Sequence, residues 1–199
     1  MSTLTIHRSV SGLLAAVGCA LALTSCADLA QTGSGPSYLI MESVTAARVG
    51  GATFTSSLES DVVTKGTAFA DLGQATIRAE MKNAISTTAP TAISAITLRS
   101  YRVRYRRTDG QNREGVDVPY GFDGAATQTI SIGTSTVVGF DLVRPQSKLE
   151  PPLRTLVGNG GLLIISVIAE VTFYGKDQAG NDVSVVGTID VKFADFGDA

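Results

Sequence analysis

Two long runs of β-branched and aromatic residues, Leu162–Tyr174 and Asp182–Phe193, flank a short polar segment, and no other feature restricts the fold as much. A three-residue loop, Gln178-Ala179-Gly180, pairs Asp177 with Asn181 and so sets Phe173 opposite Val185 and Val167 opposite Val191. Side chains alternate faces along a strand. In this register Leu163, Ile165, Val167, Ala169, Val171 and Phe173 share an inward face with Val183, Val185, Gly187, Ile189, Val191 and Phe193. Gly180 falls where the loop needs positive φ. The stretch Gly161–Ile168 (GLLIISVI) is continuously apolar but too short to cross a bilayer, so it reads as a central strand buried on both faces.

The same period-two pattern recurs at Tyr38–Ala47, Ala75–Lys82, Ile96–Arg107, Ala126–Ile132 and Thr136–Arg144, with a weaker segment at Gly115–Tyr120. Residues 83–95 (NAISTTAPTAISA) carry neither strand nor helix periodicity and read as a loop. One short helix fits after Pro151 and Pro152, with Leu153, Leu156 and Val157 on its apolar side and Gly158 at its end. The expectation is an all-β antiparallel sandwich of seven to nine strands with at most one short helix. The turn Asp177-Gln178-Ala179-Gly180-Asn181, after a long apolar strand, resembles the last hairpin of bacterial immunoglobulin-like domains. That resemblance covers about thirty residues and implies an immunoglobulin-like strand arrangement over residues 37–199. This span exceeds the roughly 100 residues usual for such domains. Insertions at 49–73 and 83–95, or another sandwich topology, would account for the excess.

At the other end, His7 and Arg8 precede an apolar run from Leu13 to Thr24, followed by Ser25 and Cys26, the layout of an export signal. Leu23-Thr24-Ser25-Cys26 resembles the lipobox of bacterial lipoproteins. The resemblance implies cleavage of residues 1–25 and lipidation of Cys26, which anchors the chain to a membrane. With Ala27 and not Asp after the cysteine, it also implies the outer membrane in a host that has two. Residues 27–36 (ADLAQTGSGP) are small and polar and read as a flexible tether, so the organisation is 1–25 signal, 26–36 tether and 37–199 domain.

His7 is the only histidine, Cys19 and Cys26 are the only cysteines, and Trp is absent. A mature chain starting at Cys26 therefore has no imidazole for a Ser-His-Asp or Cys-His system, no His/thiolate metal set and no intrachain disulfide. No cofactor or metal is expected. Lys plus Arg number 16 against 18 Asp plus Glu, which gives no basic excess for nucleic acid.

Arg99, Arg102, Arg104, Arg106 and Arg107 interleave with Tyr101, Val103 and Tyr105. Strand alternation puts Arg102, Arg104 and Arg106 on one face and the rings in the core. The Arg face reads as a solvated, ion-paired surface, and its alternative role is to bind an anionic ligand. Glu170 lies on an otherwise apolar strand, and an immunoglobulin-like topology would set it beside Arg102 or Arg104. Glu114, Asp117, Asp123, Asp141, Glu170 and Asp190 are the carboxylates open to acid–base work, but no short motif pairs them. Asp177, Asn181 and Asp182 contain oxygens suited to calcium, but their spacing is not that of an EF-hand loop and turn stabilisation is the stronger account of them. Asp195-Phe196-Gly197 and Gly158-x-Gly160-Gly161 lack the flanking motifs of nucleotide sites. The functional expectation is a lipid-anchored, non-catalytic binding, scaffolding or surface module of the cell envelope. Its partners would be the membrane, through Cys26, and another envelope protein or an anionic glycan. The alternative is an envelope glycan-binding or glycan-processing protein using the carboxylates and the Arg strand.

Overall fold

A computed structural model describes residues 35–48, 50–83 and 92–197. The signal, the lipobox with Cys26 and most of the loop 83–95 lie outside the described residues. Eight strands form two sheets: β1 (Ser37–Ala47), β2 (Ser57–Asp61), β3 (Asp71–Met81), β4 (Ile96–Arg106), β5 (Phe122–Ile130), β6 (Ser135–Val143), β7 (Ile165–Asp177) and β8 (Asp182–Ala194). One sheet has the order β1-β3-β6 and the other β2-β8-β7-β4-β5. In immunoglobulin lettering these are A-B-E and A′-G-F-C-C′, so the sandwich is immunoglobulin-like.

The terminal hairpin has the expected register, with Phe173 opposite Val185 and Val167 opposite Val191. Asp177 N–H donates to the Asn181 carbonyl at 3.0 Å, and Gly180 has φ +90°. Its inward residues pack on Leu39, Ala75, Ile77, Ala79, Val138 and Phe140 of the facing sheet. Phe140 stands edge-on to both Tyr101 and Phe173, each 5.4 Å away between ring centroids. Two glycines make room for these rings: a Cβ on Gly73 would collide with Phe140, and one on Gly124 with Tyr101. In β4 a bulge between Leu98 and Ser100 shifts the inward parity, so that Ile96 and Leu98 as well as Tyr101, Val103 and Tyr105 all face the core.

Several expectations are corrected. The sheets are not wholly antiparallel, because β2, inside the expected insertion 49–73, runs parallel to β8. The chain leaves the first sheet at Ala47 and caps the free edge of the second. Gly115–Tyr120 is a tight turn and not a strand, with the Arg113 carbonyl accepting from residues 116, 117 and 118. The strand expected at 126–132 starts at Phe122, and the one expected at 75–82 starts at Asp71. Leu162, Leu163 and Ile164 are exposed turn residues, and β7 runs from Ile165 to Asp177 with one buried and one half-exposed face. Helix α1 (Pro145–Leu149) precedes the expected site, where Leu153–Leu156 form only a 3-10 turn.

Candidate functional site

The outer face of the five-stranded sheet carries the arginine run. Tyr101, Val103 and Tyr105 are buried while Arg102, Arg104 and Arg106 point outward, as alternation requires. Arg102 grips Asp123 of β5 with Nε at 2.6 Å and Nη2 at 3.0 Å, a forked geometry that adds specificity to charge. Arg106 reaches Glu170 of β7 at 3.2 Å. Strand β4 does flank β7, and Arg104 is the residue opposite Glu170 in register, yet the ion pair is made by Arg106 and not by Arg102 or Arg104. Arg144 lies over the Phe122 ring, 3.9 Å from its centroid, and also donates to the Asp123 carbonyl. Arg107 pairs with Asp109, and Arg99 sits at the bulge with its side chain exposed.

The carboxylates do not converge. The Arg102 hydrogen bonds hold the Asp123 carboxyl below the ordinary Asp range, and those from Arg113 do the same for Asp117. Such groups stay ionised, the reverse of what a general acid needs. Asp141 lies on the three-stranded sheet, where its N–H donates to the Tyr101 hydroxyl at 3.1 Å, while Glu170 and Asp190 lie on the other sheet. Glu114 and Asp123 do line one recess of about 240 Å³ with Arg102, Arg104, Gly121 and Phe122. Within it Glu114 Oε1 accepts from the Gly121 N–H at 3.3 Å, and Asp123 is already neutralised.

Asp177 works as a turn residue. Its Oδ1 accepts from the N–H groups of Ala179 at 3.0 Å and Asn181 at 2.8 Å, and its Oδ2 accepts from Asn181 Nδ2 at 2.8 Å. Burial pushes its pKa up, but these donors outweigh it and the carboxyl ends below the usual range. Asp182 pairs with Lys176 at 2.7 Å. The oxygens weighed for calcium are therefore engaged with their own turn.

One polar cluster was not anticipated. Lys148 of α1 is 1% exposed and meets Asp71 Oδ2 of β3 at 2.9 Å. Its ammonium also donates to the Asp61 carbonyl at 2.7 Å, and Ser60 Oγ donates to the same Asp71 oxygen at 2.6 Å. A lysine in the polar stretch PQSKLE gives no sequence signal of burial. The cluster ties α1 to β2 and β3.

No family model matches the chain, and no curated protein matches it. Among solved structures, the sporulation control protein Spo0M from Bacillus subtilis aligns with 16% identity and a TM-score of 0.30, covering 79% of this chain and 49% of that one. The chain spans about half the length of Spo0M, and a likeness this distant assigns neither family nor function.

Proposed function

We propose that this chain is a non-catalytic binding module of the cell envelope, exported and held at the membrane by a lipid on Cys26. In a host with two membranes it would sit in the outer one. The supporting observation is the fate of the carboxylates: Asp117 and Asp123 are locked as ionised partners of arginines, and Glu170 is ion-paired with Arg106. Side chains of both sheets join in one hydrophobic core, and recognition in this reading belongs to the surfaces around it. The reading involves no nucleic acid and no cofactor. A lipobox cysteine receives several acyl chains in the family that it resembles, and more than one chain is what stable anchoring requires.

The test is metabolic labelling of the full chain with a fatty acid in its own host, followed by membrane fractionation. Wild type should carry label and sediment with membranes, whereas Cys26→Ala should carry none and accumulate as unprocessed precursor. An unlabelled wild-type chain would defeat the anchoring half of the proposal. Release of reducing ends from purified envelope glycan by the purified chain would defeat the non-catalytic half.

A further inference from the structure

We infer that the open edge of β6 pairs antiparallel with β6 of a second copy of this chain, about a two-fold axis at Val137. The inference goes beyond the module reading and needs neither a lipid nor a ligand.

Backbone parity shows what this edge offers. Strand β6 has β3 on one side and no strand on the other. The Asp141 N–H donates to the Tyr101 hydroxyl at 3.1 Å, so at the Leu72–Asp141 pair the backbone of β6 turns away from β3. In an antiparallel pair that orientation returns at every second residue, and it therefore points the N–H and C=O groups of Gly139, Val137 and Ser135 outward as well. The far side of the sheet agrees. Ala46 exchanges both of its backbone bonds with Thr55 at 2.9 Å, which leaves Gly73, opposite Ala46, bonded toward β6, and Gln74, opposite Gly139, bonded toward β1.

The other edges are closed or broken. Strand β2 covers β8, β1 is bulged at Glu42 and met by Thr55, and β5 sets Ala126 and Thr127 against the single residue Arg99. On β6 itself the hydroxyls of Tyr101 and Tyr105 occupy the Asp141 N–H and the Leu142 carbonyl, and their reach ends there. Among the described residues nothing caps 135–139, where Ser135, Val137 and Gly139 are exposed and the register with β3 is unbroken. The segment STVVG has no charge and no proline, the devices that keep an edge strand single.

A second copy fits this stretch because its centre is Val137. The two-fold pairs Ser135 with Gly139, Val137 with Val137 and Gly139 with Ser135, each pair exchanging both backbone bonds. Every free group of one edge then meets a free group of the other, and the Asp141 N–H held by Tyr101 is not called on. Val137, 57% exposed, buries its side chain against its own copy, a β-branched cross-strand pair that stabilises a sheet. Asp141 falls opposite Gly133, so the two carboxylates stay apart. The product is one continuous sheet, β1-β3-β6 followed by its own reverse. An edge pair of this length buries less than a standard interface, which makes the dimer a weak and reversible one.

The test is sedimentation equilibrium of the purified full-length chain in density-matched detergent. Wild type should dimerise at high micromolar concentration. Val137→Lys and Val137→Glu should each dimerise about tenfold more weakly or less, because the two-fold sets like charges face to face. An equal mixture of the two variants should recover the dimer, since lysine then faces glutamate. Val186→Lys, on the outer face of the other sheet, should behave as wild type. A monomeric wild type overturns the proposal and leaves the edge to some other strand. Undiminished dimers of both charged variants overturn the edge, and a mixture that stays monomeric overturns the pairing of Val137 with itself. None of these results depends on the fatty-acid label, so failure here and failure of the anchor are separate outcomes.

Discussion

Replacing Lys148 by Met should be among the most damaging conservative changes in this domain, and the structure says by how much. The ammonium is 1% exposed and bonded to Asp71 Oδ2 and the Asp61 carbonyl. Its removal leaves the Asp71 carboxylate, also 1% exposed, buried without the cation that offsets its lost hydration. Breaking one half of a buried pair costs about 3–5 kcal/mol. Against the 5–15 kcal/mol typical of a whole domain this is a large share, equivalent to a fall in Tm of about 6–20 °C at this chain length. Lys148→Met with Asp71→Asn removes both charges, and the amide oxygen introduced at position 71 still accepts from Ser60 Oγ. The double variant should therefore recover at least about 1–2 kcal/mol relative to the sum of the single changes, the signature of direct coupling. Urea unfolding followed by far-UV circular dichroism measures all four corners of the cycle. A loss below about 1 kcal/mol for Lys148→Met, or additive single changes, would refute the claim that this pair is dry and interdependent.

Further outcomes follow from the same geometry. Gly180→Val should destabilise by more than about 1 kcal/mol and Gly180→Asn by less, because φ is +90° there and no atom lies within 4 Å of the position a Cβ would take; equal urea midpoints would contradict it. Gly73→Ala should cost about 1–3 kcal/mol by driving a Cβ into Phe140, and Phe140→Leu should relieve part of that loss in the same assay. Asp177 has a depressed pKa, so its contribution is present above the unfolded value near 4 and is lost as pH falls through the lower folded value. Asp177→Asn should flatten that stretch of the stability–pH curve. Burial pushes the Tyr105 hydroxyl far above the ordinary range, and it donates to the Leu142 carbonyl at 2.8 Å. Its stabilisation is complete below about pH 10 and declines above it, and ultraviolet titration should lose the Tyr105 share of its late-ionising signal in Tyr105→Phe.

The fold was legible where burial is one-sided. Along β7 and β8 every second residue enters the core, so alternation and the Gly180 turn fixed both the pairing and the inward set. Strand β2 carried no such signal. It is five residues long, SLESD, with only Leu58 and Ser60 turned inward, and it is held by backbone bonds to β8 and by the Asp71 carboxylate. Apolar content misled at Leu162–Ile164, because a run of large side chains is equally a buried strand or an exposed turn, and the three preceding glycines at 158, 160 and 161 all have positive φ. Those glycines are the local evidence that extended pairing had not yet begun.

Along β4 the sequence located the right neighbour strand and the wrong ion pair, and the error is informative. Register sets Arg104 opposite Glu170, but an arginine is long enough to reach the diagonal position of an antiparallel pair, some 7–8 Å away. Arg106 does so, and Arg102 turns the other way to Asp123 on β5. Each pair is at least partly exposed and screened by solvent, so stability does not dictate which arginine is satisfied. What the pairing does determine is where positive charge remains. The middle arginine, Arg104, is left without a direct ion pair, at the recess that it shares with Glu114, Gly121 and Asp123. Reversing the choice, with Glu170 on Arg104, would leave Arg106 without a direct ion pair at the strand end, where Ile168 and Asp190 are its neighbours in register. The diagonal pair therefore decides which arginine of β4 is left without a direct carboxylate partner.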